Sequence, residues 1–214
     1  FRDRKEAGIL LSMALSGYRG PHGIVLGIPA GGVPVAAEIA KSLDLAFDLV
    51  IVRKIQIPYN PEAGFGAVGP GGEVSLNDDL VSRLRLTEEE TERQIQKTKE
   101  TIKSRNKLFR EGRPFPSLRD RVVIIVDDGL ASGFTMRSAI DFVKNHRPGK
   151  VVTAVPTAPE RTIDLVLPHV NELVCLNVRS GPVFAVADAY ENWYDLDDEE
   201  VIAIVKSFQS DTSA

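Results

Sequence analysis

The stretch RVVIIVDDGLASGFTMR, Arg121 to Arg137, decides the reading of this chain. Val122 to Val126 is a continuous run of β-branched residues with no polar alternation. Such a run fits a strand buried on both faces, as in a parallel sheet. It ends on two carboxylates, Asp127 and Asp128. The small-residue loop Gly129-Leu130-Ala131-Ser132-Gly133-Phe134 follows, and Thr135 is placed to cap a helix starting near Met136. A strand, an acidic pair, a loop and a helix start together make a site at the carboxyl end of a strand, where open α/β sheets bind ligands.

The same grammar repeats on both sides. Asp3 to Tyr18 reads as an amphipathic helix with Asp3 and Glu6 at its start. Ile24 to Ile28 reads as a buried strand running into Pro29-Ala30-Gly31-Gly32, followed by a helix from Val33 to Leu43. Phe47 to Arg53 reads as a second strand that ends at Arg53-Lys54. Beyond the opening stretch, Val151 to Val155 and Glu172 to Leu176 read as strands. Thr157 to Glu160 is expected to cap a helix reaching about Leu167, and Asp197 to Phe208 is expected to be a terminal helix. Thr87 and Glu90 form a capping box for a long charged helix to Phe109, whose charge density fits a solvated face. Strands alternating with helices predict an α/β fold with a largely parallel central sheet. Residues 55–77 stand apart, punctuated by proline and glycine. There Phe65 to Val68 and Glu73 to Leu76 are expected to pair in a hairpin, with a mobile loop, over the sheet edge rather than in the core. The whole of 1–214 is expected to be one domain, with 55–77 inserted over its site.

Bulk properties bound the options. With 214 residues, 43% hydrophobic and 26% charged, the chain suits one substantial core, or one domain plus a small appendage. A net charge of -4 argues against a general nucleic-acid surface. One cysteine, Cys175, excludes an intrachain disulfide and fits an inert buried thiol. His22, His146 and His169 share no metal-ligand spacing and are expected at the surface. The opening residues do not read as a signal peptide and no apolar run is long enough for a bilayer, so a cytoplasmic, membrane-free protein is expected.

Chemistry concentrates in two loops. Gly129 to Thr135 offers backbone N–H groups, two hydroxyls and a helix N-terminus, suited to a phosphate monoester. Asp127 and Asp128 suit either a sugar diol or a divalent cation. The Pro29 to Gly32 loop brings bare backbone close to a ligand, and Arg53-Lys54 adds cationic charge for another phosphate. Gly64-Phe65-Gly66-Ala67-Val68-Gly69 matches the dinucleotide fingerprint but lacks a buried strand before it and a helix after it. Ser132 lies in no nucleophile elbow.

Val123 to Thr135 resembles the phosphoribosyl pyrophosphate (PRPP) signature of type I phosphoribosyltransferases, an apolar strand, two acidic residues and a small-residue loop. Pro29 to Gly32 and Arg53-Lys54 fall at the spacings of that family's pyrophosphate-binding groups. The whole chain further resembles a group of such transferases with no substrate assigned. The resemblance implies that Gly129, Leu130, Ala131, Ser132, Gly133, Phe134 and Thr135 hold the 5′-phosphate. Asp127 and Asp128 would take the ribose hydroxyls, with Mg²⁺ bridging diol and pyrophosphate. Ala30, Gly31 and Gly32 would meet pyrophosphate through backbone groups, in many members beside a strained or cis peptide. Arg53 and Lys54 would neutralise the leaving group, and residues 55–77 would close over the site. Glu62 is the carboxylate placed to approach a bound base. The implied activity, in nucleotide metabolism, moves the 5-phosphoribosyl group of PRPP to a small nitrogenous acceptor with release of pyrophosphate. A non-catalytic sensor of PRPP or a nucleotide is the alternative, and hydrolysis of a phosphorylated sugar or nucleotide a third reading. A homodimer stays open, and no nucleic-acid partner is expected. Ala131 stands where hypoxanthine-guanine members carry a carboxylate, and Pro156-Thr157 where they carry a lysine. Both departures argue against a 6-oxopurine acceptor.

Overall fold

The computed structural model describes residues 1–181 and 183–212; side chains at 61, 62 and 209–212 lie outside the described residues. The chain begins with α1 (Arg4–Ala14), β1 (Gly23–Gly27), α2 (Gly32–Leu43) and β2 (Ala46–Leu49). Next come β3 (Arg53–Ile57), β4 (Asn60–Val68), β5 (Val74–Leu76), α3 (Asp78–Leu84) and α4 (Glu88–Arg110). The second half contains β6 (Val122–Val126), α5 (Phe134–Asn145), β7 (Lys150–Pro159), α6 (Glu160–Val166), β8 (Glu172–Arg179) and α7 (Asp198–Thr212).

Five strands form a parallel sheet in the order β2-β1-β6-β7-β8. The apolar runs dictate this, because successive side chains leave a strand on opposite faces. Ile24, Leu26, Val123, Ile125, Val151 and Val155 enter the core under α5 with Met136, Ile140 and Val143. Their neighbours Val25, Ile124, Val126, Val152 and Ala154 enter the opposite core, with Leu11 and Leu15 of the first helical segment and Ile39 and Leu43 of α2. A strand flanked on both faces takes a polar residue only with a partner: the buried Thr157 hydroxyl of β7 donates to the Asn177 carbonyl at 3.1 Å. The caps at Asp3 and Thr87 form as expected: Asp3 accepts from the Glu6 N–H at 2.8 Å, and Thr87 with Glu90 makes a complete capping box.

The segment between Arg53 and Leu76 is more ordered than its glycines suggest. The expected hairpin is there, with Gly66 opposite Leu76 and Val68 opposite Val74. However, β3 adds a third, antiparallel strand, and Ile55, Ile57, Phe65 and Val68 are buried in a core shared with Ile95, Ile102 and Phe109 of α4, Val33 of α2, Leu49 of β2 and Val201 of α7. The expectation that this region stays outside any core is corrected. Gly66 is small because a neighbouring strand approaches it, not because the chain turns there: a Cβ would lie 2.5 Å from the Ser75 carbonyl oxygen. Strand ends also differ. β2 stops at Leu49, so Arg53-Lys54 begins β3 instead of ending β2. β7 runs on to Pro159, because Thr157, Ala158 and Pro159 pair with Asn177, Val178 and Arg179 of β8. Of the expected cap residues, Thr157, Ala158 and Pro159 are thus strand residues, and Glu160 opens α6, which has no side-chain cap.

The end of α4 is tied to the sheet by one buried ion pair. Arg110 donates to both Asp48 oxygens at 2.9 and 2.8 Å and to the Pro114 carbonyl at 3.0 Å, with its guanidinium 5.0 Å from the Phe115 ring. Removing one partner of such a pair leaves a buried, uncompensated charge. Asp48→Ala is therefore expected to cost about 3 kcal/mol in urea unfolding; a loss below about 0.5 kcal/mol would show that the pair contributes no net stability.

Candidate functional site

Strand order reverses between β1 and β6: the chain leaves β1 for β2 on one side and later fills the other side from β6 outward. The crevice outside such a reversal is where doubly wound sheets hold ligands. β1 feeds the Pro29–Gly32 loop and β6 feeds Asp127-Asp128, so the topology brings these two predicted loops together. Ile28 N–H still reaches the Val126 carbonyl at 2.9 Å, holding them side by side.

Their contact requires glycine. A Cβ on Gly31 would lie 1.9 Å from Asp128 Oδ2, and one on Gly32 would lie 2.6 Å from the Val126 carbonyl oxygen and 2.8 Å from Asp127 Cα. These glycines were expected to admit a ligand; the group that fills their space in the structure is the acidic pair itself. The Pro29–Ala30 peptide is cis, as the resemblance implies.

The carboxylates are unequal. Asp127 Oδ1 accepts the Asp128 N–H at 2.9 Å. Burial, reinforced by the charge of Asp128, raises the Asp127 pKa well above the ordinary carboxylate range. Burial also raises that of Asp128, opposed by Arg4. Arg4 Nε donates to Asp128 Oδ2 at 2.9 Å, and Tyr190 donates its hydroxyl to the Asp128 carbonyl at 2.7 Å. One oxygen of each carboxylate is thus engaged by an N–H, Asp127 Oδ1 by that of Asp128 and Asp128 Oδ2 by that of Arg4, and the two carboxyl groups also interact with each other.

The loop after the pair has an anchored half and an open half. Leu130 is buried in the core and its N–H is committed to the Thr157 carbonyl at 2.9 Å. Gly129 is pressed against Val186 and Thr157, where a Cβ would stand 2.6 and 3.1 Å away. The Ala131 carbonyl accepts from Thr162 at 2.8 Å. By contrast Ala131, Ser132, Phe134 and Thr135 are exposed. Thr135 does not cap α5: the helix begins at Phe134, two residues earlier than expected, and Gly133, at φ 78°, is its N-cap with no side-chain hydrogen bond. Glycine adopts that left-handed turn without strain, so the first N–H groups of α5 keep the unpaired, partly positive character that attracts anions.

Arg53 and Lys54 separate, because neighbours on a strand face opposite ways. Arg53 lines a cavity of about 310 Å³ with Pro29, Ala30 and Arg105. Lys54 lines a cleft of about 560 Å³ with Phe134, Arg137, Leu165 and His169. Glu62 has its backbone in β4, but its side chain lies outside the described residues. Nor are all the histidines at the surface: His22 is exposed, His169 is half-buried, and His146 packs between Phe115 and Phe142. Cys175 is half-buried, and burial pushes its thiol up, which disfavours a thiolate nucleophile.

Three residues at the site were missed by sequence reasoning. Arg105 lies on α4 at helical spacing from the buried Ile102 and Phe109; a cation beside that stripe was a readable signal. Arg4 and Tyr190 left no such signal, because nothing local brings residue 4 or 190 to residue 128.

The chain belongs to the phosphoribosyl transferase domain family, whose model matches residues 7–191. It is 38% identical over 205 residues to a Mycobacterium tuberculosis (strain ATCC 25618 / H37Rv) protein named "Putative phosphoribosyl transferase Rv0571c". That alignment covers 96% of this chain and 46% of the relative, so the chain spans about half the length of the curated relatives it matches. Among solved structures, TT1426 from Thermus thermophilus superposes with a TM-score of 0.85 at 36% identity, covering 97% of this chain and 98% of that one. The AQ2163 protein from Aquifex aeolicus shares the fold, with a TM-score of 0.51 at 13% identity over 83% of this chain and 75% of that one. No described helix is long and apolar enough to cross a membrane.

Burying Asp127 has a pH signature. Its folded pKa is raised above the ordinary value of 3.8, so the folded state binds more protons than the unfolded chain and loses stability as pH rises through that interval. Asp127→Asn keeps an oxygen for the Asp128 N–H and removes the charge. In ligand-free protein with chelator, its melting temperature is expected to match wild type near pH 4 and exceed it increasingly above that. A gap that does not grow with pH would refute the burial argument.

Proposed function

We propose that this domain transfers the 5-phosphoribosyl group of PRPP to a small nitrogenous acceptor, releasing pyrophosphate. The observation that carries the reading is the pairing across the switch point. Two carboxylates, each with one oxygen engaged by an N–H, stand between an uncapped helix N-terminus and a glycine loop. That order matches the ligand's: 5′-phosphate, ribose diol, pyrophosphate.

In this reading the first turn of α5, with Ser132 and Thr135, holds the 5′-phosphate through backbone N–H groups and hydroxyls. Asp127 and Asp128 accept the ribose hydroxyls and orient the ring. Ala30 to Gly32 receive the pyrophosphate, and Arg53 stabilises the charge that develops on it as the glycosidic bond breaks. Arg105, on the same cavity, adds a second cation. Lys54 acts from the opposite face of β3. The antiparallel sheet and Val186 would shield the reacting carbon from water, which the cationic transition state of such a transfer requires.

Mg²⁺ fits the donor set as a shared ion. Among the described residues no group of three or more His, Cys, Asp or Glu could hold a metal, so Asp127 and Asp128 would hold it with the ligand's own oxygens, as Mg²⁺ sites commonly do. Bound there, it would supply charge neutralisation for pyrophosphate.

Calorimetry with PRPP and Mg²⁺ is expected to show saturable binding, and no heat together with no thermal stabilisation would refute the reading. Asp127→Asn and Asp128→Asn should each weaken binding by about tenfold to a hundredfold, the worth of hydrogen bonds to a charged group. A panel of bases and amines with PRPP, read by pyrophosphate release, then separates transfer from sensing: tight binding with no release from any acceptor would favour the sensor.

A further inference from the structure

Arg4 is an enclosed cation at the site, and no local sequence feature explains it. Its side chain is 7% exposed and that of Asp128 13%. Nε donates to Asp128 Oδ2 and Nη1 to the Tyr194 carbonyl, both at 2.9 Å. The guanidinium carbon lies 4.1 Å from the Trp193 ring centroid and 5.8 Å from those of Tyr190 and Tyr194. The surrounding chain is stitched as well: Phe1 N donates to the Ala189 carbonyl at 2.7 Å, and the N–H groups of Glu191 and Asn192 reach the carbonyls of Phe1 and Arg2 at 2.8 and 2.9 Å.

We propose that Arg4 is a positioning residue for the transfer. Clamped by carbonyl and aromatic faces, it fixes the Asp128 carboxylate so that Oδ1 is presented to the ribose, and it makes that orientation depend on the seating of residues 186–194. The inference rests on the phosphoribosyl reading above.

Three observations support positioning over simple stapling. A buried ion pair is a poor source of stability, since well-packed apolar residues of the same volume commonly do as well or better. A planar guanidinium with one edge on a carboxylate, another on a carbonyl and a ring against its face cannot swivel, so its geometry is passed on to its partner. Asp128 is also gripped from other directions, by Gly31 against Oδ2 and by the Tyr190 hydroxyl on its main-chain carbonyl. Of these contacts, only Arg4 holds the carboxylate itself by a hydrogen bond from outside the two loops. Without it the carboxylate is free to rotate away from the ribose position.

The test is a double-mutant cycle on PRPP affinity, by calorimetry with Mg²⁺, using wild type, Arg4→Met, Asp128→Asn and the double variant. Methionine keeps an apolar stem of similar length. Arg4→Met is expected to weaken binding about tenfold, and the same change made in Asp128→Asn to cost less than about twofold, because contacting residues that act through each other are not additive. Arg4→Lys should recover part of the loss. Trp193, the only tryptophan in the chain, supplies an independent readout: PRPP with Mg²⁺ should change its emission in wild type and not in Arg4→Met. If Arg4→Met does not fold, the cycle is read with Arg4→Lys, where a smaller loss should again vanish in the Asp128→Asn background. If Asp128→Asn binds too weakly for the cycle, the emission change decides alone. An unchanged affinity in Asp128→Asn would overturn the ribose assignment and this inference with it. A weakened Asp128→Asn beside an unchanged Arg4→Met, or equal losses in both backgrounds, would overturn only the role of Arg4.

Discussion

The structure depends on the absence of two side chains. Gly31 and Gly32 leave room for the carboxyl ends of β1 and β6 to meet, with Asp128 Oδ2 occupying the place a Cβ at residue 31 would take. Adding a methyl group there would drive the loops apart and pull the acidic pair away from everything that compensates it. The sheet supplies the proximity, through a strand order that reverses at this point. Glycine turns proximity into contact.

Contact at this distance imposes an electrostatic cost. Two neighbouring carboxylates in a poorly hydrated crevice disfavour each other's charge, and the fold offsets this with a backbone N–H for Asp127 and a guanidinium for Asp128. Neither compensation is complete, since both groups remain harder to ionise than in water. A site left in that condition is primed for hydroxyl donors or a cation.

Fold and loops were legible because their signals are local. Unbroken β-branched runs ending in small or acidic residues identify buried parallel strands from the chain alone, and the β6 stretch also carries the family resemblance. Where glycine entered, the reading became ambiguous. In Gly64 and Gly66 it accommodates strand packing, yet in sequence it looks the same as in a loop, so the second sheet and its core were underestimated. Thr135 shows a related limit: a threonine at a helix start suggests a cap, but a preceding glycine able to take positive φ moved the start by two residues. Arg4, Tyr190 and the parting of Arg53 from Lys54 are consequences of tertiary geometry.

The stitching of residues 1–4 to residues 186–194 bears on how the molecule is made. The contacts that complete the surroundings of Asp128 join groups 124, 188 and 190 positions apart in the chain. Contacts of such separation form late, after the local and near-neighbour pairings that lower their entropic cost. During synthesis, α1, both loops and β6 leave the ribosome before the aromatic segment exists, so the parallel sheet can begin to assemble around an acidic pair whose cation has no cage. The electrostatic surroundings of Asp128 are therefore completed only after the loops that carry the acidic pair have been made.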